Sequence, residues 1–148
     1  MKWRGRDTFA SVTVVVLGVM AAAAAATEKP APSITVEAGT LAGSVEGGVE
    51  SWKGIPYAAP PIGPLRWRAP QPAAPWSGVR QATAYGHDCM QKPSSVYAIL
   101  RLGSARAEDC LYVNVWRPAA ATAKLPVLFW IFGGGSVNGG SSARRPSS

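Results

Sequence analysis

Apolar and polar positions alternate in short bursts along the first third of the chain. Ile34-Thr35-Val36-Glu37 has the period of two expected of a half-buried strand. Gly39 and then Leu41-Ala42-Gly43-Ser44-Val45 predict a turn and a second strand. Gly47-Gly48 marks a tight turn, and Val49-Glu50-Ser51-Trp52 a third short strand. Together they predict a small antiparallel meander. From Lys53 to Pro70 the proline density excludes helix and breaks any ladder. Ile55, Tyr57, Leu65 and Trp67 punctuate that stretch, which predicts extended chain pressed on a core, with Trp76 and Tyr85 continuing the theme. Residues 94–102 read as a short helix or a surface loop. Leu111-Tyr112-Val113-Asn114-Val115-Trp116 alternates again, a half-buried strand ended by Arg117-Pro118.

Leu125-Pro126-Val127-Leu128-Phe129-Trp130-Ile131-Phe132 is different, a continuous apolar run leading directly into Gly133-Gly134-Gly135. Unbroken apolarity predicts a strand buried on both faces, as in the middle of an α/β sheet.

The N-terminus has another character. A basic head (Lys2, Arg4, Arg6) precedes an apolar stretch from Phe9, an alanine run over 21–26, and an abrupt polar break at Thr27-Glu28-Lys29-Pro30. This is the grammar of a secretory signal peptide over residues 1–26, with Ala24-x-Ala26 as the cleavage site. The alternative is an uncleaved membrane anchor. Residues 27–33 then read as a flexible leader. Export, secreted or periplasmic, places Cys89 and Cys110 where a pair tends to be oxidised. Closing the loop between them stabilises a fold by about 3 kcal/mol in the chain-entropy model. Two unpaired thiols or a metal pair are the other readings, the latter poor in ligands.

The 148 residues fit about one domain, and 47% hydrophobic against 16% charged excludes an intrinsically disordered chain. Of 15 basic and 8 acidic residues, the first 26 hold three and one, leaving 12 against 7. The remaining cations are scattered singly, which argues against a nucleic-acid partner. One His excludes a His-rich metal cluster, and no metal or cofactor is implied.

A strand ending in glycines permits a sharp turn that brings backbone N–H groups close to a ligand. Such donors can hold an oxyanion developing during acyl transfer. A plain turn and a phosphate cradle are the competing readings, although no Gly-Lys-Ser/Thr follows.

Three stretches in fixed order resemble the type B carboxylesterases, the carboxylesterase/cholinesterase family. The first is Gly39-x-Leu41-x-Gly43, then Lys53-Gly54-Ile55-Pro56-Tyr57-Ala58 and Pro60-Pro61-x-Gly63-x-Leu65-Arg66-Trp67. The second is Glu108-Asp109-Cys110-Leu111-Tyr112-Val113-Asn114-Val115-Trp116. The third is the apolar run with its glycines. The resemblance implies the N-terminal part of an α/β-hydrolase fold over residues 34–140, with the meander leading into the central sheet. It also implies a serine esterase acting on small-molecule esters, with a nucleophile on a Gly-x-Ser-x-Gly elbow, then an acid and a His later in the chain. Carried over by position, Gly134 and Gly135 supply oxyanion donors, and Cys89 and Cys110 match the family's first disulfide. Arg66 and Glu108 match a buried ion pair, whose rupture costs about 3–5 kcal/mol; two solvated charges are the alternative reading.

Two positions depart from the family: Phe132 stands where His or Tyr is common, and Ser136 where a large apolar residue is usual. No Gly-x-Ser-x-Gly occurs in these residues, and His87, ahead of Cys89, is out of order for a catalytic base. Residues 141–148 read as a polar, divergent tail, as from a truncated or frameshifted frame. The expectation is therefore that the chain alone does not hydrolyse esters, and that residues 27–148 alone are insoluble or molten because a long apolar strand lacks neighbours. A non-catalytic exported relative, or a binding module, fits the same residues.

Overall fold

The computed structural model describes residues 30–92, 103–135 and 137–142. The predicted signal peptide, the first part of the leader, the 94–102 segment, Ser136 and most of the tail lie outside them.

Among the described residues, eight short strands form three sheets. Strands β1 (Ser33–Val36) and β2 (Gly39–Ala42) pair antiparallel, and β5 (Val79–Gln81) joins β2 in parallel. Strands β3 (Ser44–Glu46), β4 (Val49–Pro56) and β8 (Tyr112–Pro118) make an antiparallel sheet in that order. Strands β6 (Asp88–Cys89) and β7 (Arg106–Ala107) form a two-residue parallel pair.

The meander expected from the alternation is thus divided between two sheets at Gly43. The reason is local. Gly43 lies so close to the Trp52 ring and to the Ser51 carbonyl that a β-carbon there would overlap both. Its N–H leaves the ladder and donates to the Pro32 carbonyl at 2.8 Å. Trp52 Nε1 donates to the same oxygen at 3.1 Å. The end of the predicted flexible leader is therefore fastened to the core.

That core joins the two larger sheets. Leu41 from β2, Trp52 and Ile55 from β4, and Ala82 beyond β5 are buried together, with Ile34, Trp76 and Val113 packed around them. Among the described residues, Trp52 and Leu41 are the largest side chains fully removed from water. Burial of rings and branched side chains is the main favourable contribution here. Trp76, held by Nε1 donating to Thr40 O at 2.9 Å, fills the space a Gly39 side chain would need.

Strand β4 is long because it carries a bulge. Its register with β8 slips between Trp52 and Ile55, with Lys53 and Gly54 in the gap. Gly54 has φ +66°, and its N–H is taken by Asn114 Oδ1 at 2.8 Å. Lys53 N–H crosses to Ala82 O at 2.7 Å, tying β4 to the other sheet. A bulge of this kind needs glycine where φ is positive.

Two expectations are corrected. Of the residues expected to press on the core in the proline-rich stretch, Ile55 does so and Leu65 is half-buried, but Tyr57 is exposed and Trp67 is 90% exposed. Trp67 lies beside the Arg66 guanidinium, 5.4 Å from its ring centroid, rather than inside. The larger correction concerns 125–132. This run forms no strand, and Val127 and Leu128 are 92% and 89% exposed. Apolarity alone does not make a strand. Backbone N–H and C=O groups must find a ladder partner, and among the described residues no strand lies beside this segment.

Candidate functional site

The glycine turn follows that exposed ribbon. Gly135 has φ +61° and open space where a side chain would sit, so its requirement is conformational. Gly134 has φ +156°, and a β-carbon there would overlap the Asn138 carbonyl. The Gly134 carbonyl accepts the N–H groups of Val137 and Asn138 at 3.1 and 3.2 Å, closing the turn. Gly139, at φ +134°, packs on Gly133 O and the Phe132 ring. Gly134 and Gly135 are both exposed. A chain folded this way can present successive peptide N–H groups on one side.

Cys89 and Cys110 are disulfide-bonded, with Cα atoms 5.0 Å apart. Arg66 and Glu108 meet at 3.2 Å between Nη2 and Oε1, but their side chains are 56% and 42% exposed. The pair forms, and the expected burial does not. Water therefore screens it, and the penalty expected of a buried pair does not apply. His87 is exposed, and the described residues hold no group of His, Cys, Asp or Glu able to bind a metal.

An ion pair with one buried partner was not singled out from the sequence. Glu50 and Arg117 face each other across β4 and β8, in register. Arg117 Nε donates to Glu50 Oε2 at 2.6 Å, with the Glu50 side chain only 10% exposed. The Arg117 guanidinium also lies over the Trp52 ring, 5.3 Å from its centroid. The signal was present in the strand assignments, since a pair on facing strands needs only the register to be known. The polar residues around Asp88, Gln91 and Asn114 were missed too. Asp88 lies in the two-residue β6, Gln91 in a loop and Asn114 in β8, and a single polar residue carries no periodicity that would announce its partner.

Asp109, from the Glu-Asp-Cys-Leu stretch, has a local role. With Arg80 and Tyr112 it lines a hollow of about 220 Å³ walled by Pro56, Ala58 and Pro60. Burial, then a hydrogen bond to Asp109 and its negative charge, raise the Tyr112 phenol above its ordinary value, while Arg80 opposes the rise.

The family model described as the carboxylesterase family matches residues 30–148, four-fifths of the sequence. The chain belongs to the carboxylesterase family. It is 46% identical over 110 residues to the para-nitrobenzyl esterase of Bacillus subtilis (strain 168), covering 74% of this chain and 22% of that protein. It is 44% identical over 124 residues to the fumonisin B1 esterase of Sphingopyxis macrogoltabida, covering 81% of this chain and 22% of that one. A solved PNB esterase superimposes with a TM-score of 0.70 at 44% identity, covering 75% of this chain and 23% of that structure. The fold is accordingly the N-terminal part of an α/β-hydrolase. This carboxylesterase-family chain spans about a fifth of the length of the curated relatives it matches.

Proposed function

We propose that this chain supplies the front part of an exported carboxylic ester hydrolase, in which the N–H groups of Gly134 and Gly135 stabilise the oxyanion of the tetrahedral intermediate. The observation that carries the reading is a glycine turn with positive φ at both positions, in a chain of the carboxylesterase family. Relatives named as esterases support the substrate class, small-molecule esters. The reaction is acyl transfer to a serine and then to water, and oxyanion donors contribute on the order of 10²–10³ each to such a step. Residues 1–26 serve as the signal peptide, 27–33 as leader, and 34–140 as the N-terminal portion of the hydrolase domain. The product is secreted or periplasmic.

No Gly-x-Ser-x-Gly elbow occurs in these residues, and oxyanion donors without a nucleophile and base leave little catalysis. The test is to read the coding sequence beyond codon 148, weigh the exported product, and assay it on a p-nitrophenyl ester. A longer product with a Gly-x-Ser-x-Gly elbow that hydrolyses the ester supports the proposal. A product that ends at Ser148 and is inert overturns it, and turns attention to a non-catalytic exported relative.

A further inference from the structure

The downstream foot of the glycine turn is gripped by side chains on either side of the disulfide-bonded Cys89. Gln91 takes hold of the Gly139 peptide from both ends. Its Nε2 donates to Gly139 O at 2.8 Å, and its Oε1 accepts the Gly139 N–H at 2.7 Å. Asp88, buried at 6% exposure, accepts from Ser142 Oγ at 2.9 Å and from the Ser104 N–H at 3.0 Å. Gly140 rests directly on that carboxylate, where any β-carbon would overlap it. Both gripping residues flank Cys89, whose disulfide to Cys110 anchors this edge beside β8.

The grip matters because of what it holds. A run of glycines has the greatest backbone freedom of any sequence, and donors aimed at an oxyanion act only if they are held in place beforehand. The turn closes on itself through Gly134 O, but that bond fixes only its internal shape. Its position relative to the sheets is set where the chain leaves it, at Gly139. A two-way amide grip there works like one rung of a strand pair.

We propose that Gln91, with Asp88 behind it, is the positioning residue that fixes the glycine turn and so the direction of the Gly134 and Gly135 N–H groups. The inference rests on the oxyanion reading for its purpose, but the grip itself can be tested without any hydrolysis.

The experiment is residue-resolved amide exchange on the full chain carried on a soluble fusion partner, disulfide intact. The N–H groups of Val137 and Asn138 report the turn, Gly139 reports the grip, and the β4 amides report the fold. Gln91→Ala is expected to speed exchange at all three turn positions about tenfold, as befits two lost hydrogen bonds, and to leave β4 unchanged. Gln91→Glu keeps an acceptor for the Gly139 N–H, so it restores protection there. That rescue, normalised to the parent at each pH, strengthens as the introduced carboxyl ionises, a signature that mere packing would not give. Three results would overturn the proposal: no protection at Gly139 in the parent, acceleration confined to Gly139, or acceleration spread equally into β4. An inert product in the ester assay sinks the hydrolase reading but changes none of these exchange rates.

Discussion

Replacing Arg117 tests whether the cross-strand ion pair or the apolar core governs the larger sheet. Glu50 is all but buried while Arg117 is half in water, with side-chain exposures of 10% and 51%. Removing one partner of a fully buried pair costs about 3–5 kcal/mol. A fully exposed pair contributes under about 1 kcal/mol. The arrangement lies between these limits, since the stranded charge is buried but its partner is partly solvated. About 2 kcal/mol is the expected loss, which is roughly a thirtyfold shift in an opening equilibrium. Arg117→Met is the right perturbation, because it keeps an apolar stem over the Trp52 ring and removes only the charge and its hydrogen bond. Amide exchange of the β4 segment, on the full chain fused to a soluble carrier, is the readout. Exchange should accelerate about thirtyfold in Arg117→Met. The double variant Glu50→Gln with Arg117→Met should return most of the way toward the parent, because no charge is then left buried without a partner. Exchange in Arg117→Met that matches the parent would falsify the reasoning, as would a double variant as labile as the sum of the two singles.

Arg66→Ala is expected to change stability by less than about 1 kcal/mol, because its pair with Glu108 is screened by water; urea unfolding followed by Trp fluorescence measures this. Gly54→Ala should cost about 2 kcal/mol or more in the same assay, since its φ of +66° is strained for a side chain and a β-carbon would meet Ala84 O at 2.6 Å. Tyr112 holds its proton more tightly folded than unfolded, so its contribution is fully present below the ordinary tyrosine pKa of 10.0 and is lost as pH rises through the raised folded value. The tyrosinate absorbance of the parent minus that of Tyr112→Phe should therefore show a phenol titrating above 10.0, and one titrating at or below it would refute the assignment.

The sheets were legible where alternation and turn glycines agreed. Ile34–Glu37, Val49–Trp52 and Leu111–Trp116 each overlap an observed strand. The three short strands beyond Trp76 were not legible. Val79–Gln81, Asp88–Cys89 and Arg106–Ala107 are too brief to show a period, and they exist because neighbouring backbone offers them partners. The 125–132 run failed in the opposite direction. Its composition suits a doubly buried strand, but strand formation is a property of pairs, and the described residues supply no partner. At the site, the disulfide and the glycine turn could be named in advance because cysteine and glycine have few structural uses. The grip by Gln91 and Asp88 could not, because a lone amide or carboxylate outside any periodic run takes its meaning only from what folds back against it.

The doubly engaged carbonyl of Pro32 sets a boundary for any trimming of the chain from its amino end. A protease that trims the chain upstream of Pro32 leaves Trp52 Nε1 and the Gly43 N–H with their acceptor. Cutting even one residue further in strips both donors at once and opens the seam between the two sheets. Heterogeneous amino termini in a purified preparation should therefore crowd up to Pro32 and stop there, and an affinity tag placed on this side needs a spacer long enough to leave that oxygen undisturbed.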